Sequence, residues 1–292
     1  MNSVAIVSCL ARKVKLALAP VVALAALGGL PEAAAAQEVA IPNFWDPKAR
    51  LERPDLTGLR PVRFLVDDEF PPLSFLGPDG NPTGFTTELA RAVCEQLTLT
   101  CTVQVRRFDT LLDALQQRNG DVVAAGIPIT AGLRGRFGVT QPFFKIPARF
   151  VARKGPEAAA PQPGPGSQGR TIAVVGRTAH EAYAKAFYAA SSIKPYPELG
   201  AAQAALKNGE VDYLFADGLS LALWIGGTEA ANCCAFTGGP FLESRFFGEG
   251  IGFILRKEDE TLRRAFEFAL QRLWDEGRYA ELYLRFFPVS PF

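Results

Sequence analysis

Asp113-Ala-Leu-Gln-Gln-Arg-Asn-Gly-Asp-Val-Val-Ala-Ala-Gly126 and Ala204-Ala-Leu-Lys-Asn-Gly-Glu-Val-Asp-Tyr-Leu-Phe-Ala-Asp-Gly218 are two versions of one pattern. Each carries a helix end, an Asn-Gly pair placed to cap it, an Asp leading a short apolar strand, and a closing Gly. Glycine suits such a cap because it reaches the left-handed backbone that ends helices. Two helix–turn–strand units can look alike by chance. The alternative, two α/β lobes of similar build, explains the echo and organises the rest of the chain.

Working outward, Val62-Arg63-Phe64-Leu65-Val66 reads as a buried strand broken by Phe70-Pro71-Pro72. Leu89, Val93 and Leu97 make the apolar face of a helix that Thr86 or Thr87 is placed to cap. Pro147 to Lys154 reads as a strand crossing between lobes, and the Pro/Gly-rich stretch from Ala158 to Gly169 as an exposed loop. A Gly-punctuated strand, Gly248 to Leu255, returns. Leu262, Phe266, Ala269 and Leu273 then define an amphipathic helix ended by Gly277, and a short helix runs on to Phe287. The expected division is lobe 1 from residues 61–147 and 251–292, and lobe 2 from 148–250. Two crossings between two lobes make a hinged clamp.

Composition sets the class. Of 292 residues, 48% are hydrophobic and 21% charged, which excludes a disordered or low-complexity chain. A net charge of +1 gives no bulk attraction to nucleic acid or anionic membrane. One His (His180) and five Cys without ligand spacing argue against zinc or a redox Cys-x-x-Cys. Arg12, Lys13 and Lys15, the apolar run Leu16 to Leu30, and the small residues Ala33 to Ala36 read as an export signal over residues 1–36. That places the mature protein in an oxidising compartment, with no later stretch apolar enough to span a bilayer. Residues 37–60 lack periodicity and read as an extended arm with Trp45 as anchor.

From Val62 to Phe287 the chain resembles the family 3 periplasmic solute-binding proteins of ABC importers, with the lysine/arginine/ornithine- and histidine-binding proteins as near members. Four ordered blocks carry the resemblance. They are Phe70-Pro-Pro-Leu-Ser-Phe with Gly84-Phe85; Asp121-Val-Val-Ala-Ala-Gly126 with Ile129-Thr130; Gly238-Gly-Pro with Phe247-Gly-Glu-Gly-Ile-Gly; and Leu255-Arg-Lys-Glu-Asp, leading to Gly277-Arg-Tyr and Phe287. The resemblance implies a two-lobed α/β periplasmic binding protein of type II. It also implies a disulfide between Cys94 and Cys101, which an exported chain favours. Adjacent Cys233 and Cys234 stay open between a vicinal bond and an inert pair.

The ligand residues implied are Phe70, Gly126, Pro128, Arg134, Thr178, His180 and Asp217. Phe70 matches an aromatic wall, and alone it reads equally as core packing. Asp217, at the end of an apolar strand, matches the partner of an amino group; its Asp-Gly context also suits a plain turn. Thr178 opens a helix, as ligand contact or as N-cap. His180 lies two residues on, within reach of a ligand or simply exposed. The carboxylate end departs from the family pattern. Leu133 stands where an Arg is usual and Pro128 where a hydroxyl is usual, while Arg134 comes one residue late, about 100° around a helix. The expected protein is a periplasmic receptor, working as a monomer, that hands a small amine-bearing solute to an ABC transporter permease. No cofactor, metal or nucleic acid is implied. The alternatives are a dehydratase of a prearomatic acid on the same fold and an accessory module that signals ligand to a sensor.

Overall fold

Val62-Arg-Phe-Leu-Val66 is β1 (Val62–Val66), with four of its five residues buried, and the first lobe is assembled around it. The computed structural model describes residues 41–45, 51–52, 54–57, 61–155, 159–287 and 291–292. The export signal expected at residues 1–36 lies outside the described residues, as does part of the 37–60 arm. After β1 come a meander of β2 (Glu69–Phe70), β3 (Ser74–Leu76) and β4 (Pro82–Thr83), then α1 (Phe85–Leu97) and β5 (Cys101–Val105). α2 (Leu111–Gln116), β6 (Val122–Val123), α3 (Ala131–Arg136) and β7 (Gly138–Val139) complete this stretch.

The second lobe begins with β8 (Ala148–Arg153), β9 (Thr171–Val175), α4 (Ala179–Phe187) and β10 (Ser192–Tyr196). It continues through α5 (Leu199–Asn208), β11 (Tyr213–Asp217), α6 (Gly218–Gly226), β12 (Cys234–Phe241) and α7 (Ser244–Phe247). β13 (Ile254–Leu255), α8 (Glu260–Asp275) and α9 (Arg278–Phe286) end the chain.

The two main sheets have the strand orders β5-β1-β6-β13-β7 and β10-β9-β11-β8-β12. In each, the first three strands are parallel. The fourth reaches it across the lobe boundary and runs antiparallel, β13 beside β6 and β8 beside β11. This is a two-lobed α/β fold.

The echo extends to side chains. Asp121 donates its N–H to Arg63 O at 2.8 Å and accepts the Arg63 N–H at 3.0 Å. Asp212 does the same with Thr171, at 3.0 and 2.8 Å. One arginine at the end of each crossing strand then satisfies backbone carbonyls in the turn after the preceding helix. Arg256 donates to Leu115 O and Gly120 O at 3.3 and 2.7 Å, and Arg153 to Leu206 O and Val211 O at 2.8 and 2.9 Å.

That alignment corrects the expected caps. Gly209 caps α5 at φ 83°, but the matching position after α2 is Arg118, at φ 60°. Gly120 corresponds instead to Val211. A Cβ at Gly120 would lie 2.4 Å from Leu65 Cγ, so close packing on β1, not turn geometry, requires glycine there. Neither Thr86 nor Thr87 caps α1. Gly84 does, and both threonines are buried in the first turn, where Thr86 Oγ1 donates to Leu73 O at 2.8 Å.

The first lobe's core joins Leu89, Val93 and Leu97 of α1 to Phe266, Ala269 and Leu273 of α8. Trp45 packs on it, with ring centroids 5.2 Å from Trp274 and 5.0 Å from Tyr279, so the arm is anchored as expected. Cys94–Cys101 is a disulfide tying α1 to β5, and Cys233–Cys234 is a vicinal disulfide at the start of β12. No described helix is long and apolar enough to cross a membrane.

Candidate ligand-binding cleft

Parallel strands bring loops to one edge of each sheet. β1 and β6 are register partners (Phe64 with Val122), so Phe70 and the segment from Gly126 to Pro128 emerge at the same edge of the first sheet. β9 and β11 are likewise paired, which sets Thr178 and His180 beside Asp217 on the second. Ligands of open α/β sheets bind at such carboxyl ends.

On the first lobe, Phe70 and Gly126 meet directly. A Cβ on Gly126 would lie 2.6 Å from Phe70 Cδ1, so the missing side chain is the ring's seat. Pro128 bridges to Ile251 and borders Gly248 on the return crossing. Arg134 lies near this edge without a free guanidinium. Its Nε and Nη2 both reach Glu249 Oε2, at 3.0 and 2.6 Å. Leu133 does not form a cleft wall. Thr130 caps α3 by accepting the Leu133 N–H, and the Leu133 side chain is only 8% exposed, packed in a core cluster with Leu111, Leu115 and Ile129.

On the second lobe, Thr178 is the N-cap of α4. Its Oγ1 accepts the Glu181 N–H at 3.3 Å and donates to Val175 O at 2.7 Å. Asp217 is the N-cap of α6, with Oδ1 accepting the Ser220 N–H at 2.7 Å. The capping reading of Thr178 is therefore correct, while Asp217, read as amine partner or plain turn, is a helix cap rather than a turn; neither cap excludes a ligand at the remaining lone pairs. His180 sits among rings, its centroid 5.2 Å from Phe247 and 5.7 Å from Phe215. Burial pushes its imidazole below the usual range, and the negative charge of Asp217 pulls the other way. Among the described residues, no hydrogen bond or ion pair joins this group to Phe70, Gly126, Pro128 or Arg134.

Three neighbours escaped the reading of the sequence. Phe215 and Phe247 frame His180. Asp67, at the end of β1 and 1% exposed, has an Oδ1 without a hydrogen-bond partner, and burial raises its carboxyl. The only trace of Asp67 in the sequence is the acidic run Asp67-Asp68-Glu69 ahead of Phe70. Among the described residues no group of three His, Cys, Asp or Glu is arranged to hold a metal.

Residues 62–289 match the family model of the bacterial extracellular solute-binding proteins, family 3. The chain belongs to that family. The L-arginine-binding protein of Pseudomonas aeruginosa is 28% identical over 81% of this chain and 92% of its own. The lysine/arginine/ornithine-binding periplasmic protein of Escherichia coli is 25% identical over 78% and 88%. Among solved structures, substrate binding domain 2 of Lactococcus lactis GlnP in its open conformation superposes with a TM-score of 0.70. It covers 82% of this chain and 100% of that one at 18% identity, a likeness of fold. The family expectation and the two-lobed architecture are both correct.

Proposed function

We propose that the protein is a periplasmic receptor that closes its lobes on a small amine-bearing solute and passes it to an ABC transporter permease. The carrying observation is Asp217, a carboxylate held by its own helix cap at the sheet edge that carries Thr178 and His180. A fixed carboxylate at such an edge suits an ammonium or guanidinium group. The names of the relatives, which bind arginine, lysine and ornithine, support a cationic solute.

The other end of the solute differs from an α-amino acid. Gly126, Pro128 and the buried Leu133 offer no side-chain donor, and Arg134 is engaged by Glu249. A carboxylate desolvated without a partner is among the costliest groups to bury. Losing even ~3 kcal/mol weakens binding about a hundredfold. The preferred solute therefore presents a cation to Asp217 and an apolar body to Phe70. A thermal-shift screen of the twenty common amino acids against simple amines and guanidines tests this. Stabilisation by the carboxylate-free cations is expected, and stabilisation confined to amino acids refutes it.

A further inference from the structure

We infer that His180 sets the charge that the cleft accepts, because a proton on its imidazole and a cationic solute at Asp217 exclude each other. This rests on the reading of the site as a receptor for an amine. His180 is the second residue of α4, near the helix end whose unpaired N–H groups disfavour positive charge. Phe247 and Phe215 pack against the ring and shield it in part from water. Asp217 lies two residues beyond Phe215 on β11, on the strand face whose ring packs against His180, and supplies the opposing pull.

Other charged groups surround α4, and the Arg177 guanidinium just ahead of it belongs to an exposed residue. β9, Thr171-Ile-Ala-Val-Val175, brings none. From β10, Lys194 Nζ points to Glu210 O at 3.5 Å. At α7, the N-cap Glu243 accepts the Tyr183 hydroxyl at 2.9 Å, and the Arg245 guanidinium lies 5.9 Å over the Phe246 ring. On α4 itself, Glu181 holds Lys185 Nζ at 2.7 Å and the Arg177 N–H at 2.6 Å. Among the described residues, the charge that acts on the imidazole comes from β11, through Asp217.

With His180 neutral, the wall carries the charge of Asp217 and attracts a cation. Protonating His180 gives Asp217 an internal counter-ion, and the solute loses its partner. The imidazole titrates below its ordinary value, so affinity is full at neutral pH and falls as pH drops through the folded midpoint. The limit is about tenfold per pH unit for one exclusive proton.

His180 is the single histidine of the chain, so one imidazole Cε1 resonance in ¹³C-histidine-labelled protein reports it without assignment. Three results are expected. The ligand-free midpoint lies below about 6.5. Asp217→Asn moves it lower still, and saturating agmatine, a carboxylate-free dication, does the same in the unaltered protein. Calorimetry with agmatine between about pH 5 and 8 should show affinity lost on the acid side, and His180→Asn should flatten that profile. A midpoint at or above about 6.5, indifference to Asp217→Asn, or agmatine affinity independent of pH overturns the inference. If His180 titrates as expected but no amine binds at the alkaline end, the amine reading fails instead.

Discussion

Asp217 combines a helix cap with a charge, and one atom's change separates them. Asn caps a helix as well as Asp does, so Asp217→Asn should keep the Ser220 contact and the melting temperature while lowering amine affinity at least about tenfold. Asp217→Ala should lose the affinity and, in addition, about 1 kcal/mol of stability in denaturant titrations. Equal affinity in the Asn variant would remove Asp217 from the site. The sheet-edge positions of Phe70, Gly126 and Asp217 were legible through the family resemblance of the segments that hold them. Leu133 and Asp67 were not. The inward turn of Leu133 depends on how the short α3 packs on Leu111 and Leu115, and the burial of Asp67 on the meander folding over β1. Neither is a local property of the sequence.

Asp121 shows what the echo does for stability. Burial pushes its carboxyl up, but hydrogen bonds from the Arg63 side chain and backbone and from Arg256 outweigh this and hold it below the usual range. A carboxylate depressed in the folded state contributes stability above its unfolded value of about 3.8, and that contribution is lost as pH falls through the folded value. Asp121→Asn should therefore destabilise the protein at neutral pH, by about 1–3 kcal/mol, and flatten the acid limb of its stability profile. Urea melts at stepped pH check both; a variant that stays as pH-sensitive as the original would contradict the assignment. The helices, strands and repeated Asp were legible from periodicity. The two-residue offset in the first cap was not, because Asn-Gly is a turn signal in either place. Only packing against Leu65 distinguishes Gly120 from a cap.

For the whole molecule, Cys94–Cys101 closes a short loop between α1 and β5. Replacing both with Ala should cost about 2–3 kcal/mol, seen as a lower denaturation midpoint. The Pro147 boundary correctly preceded β8, but the return, read as one strand from Gly248 to Leu255, forms a strand only at Ile254–Leu255. The antiparallel insertion of β8 and β13 as the fourth strand of each sheet was not legible, since strand order is set by contacts far apart in the chain. A saturating solute should also draw the lobes together and reduce the radius of gyration in solution scattering. The most direct measurement is a calorimetric comparison of L-arginine with agmatine, which differ by one carboxylate, at neutral pH. Expected is tighter binding of agmatine by about a hundredfold or more. Micromolar or tighter L-arginine binding that disappears in Arg134→Ala would instead show that Arg134 leaves Glu249 to hold the carboxylate, and would contradict this account of the cleft.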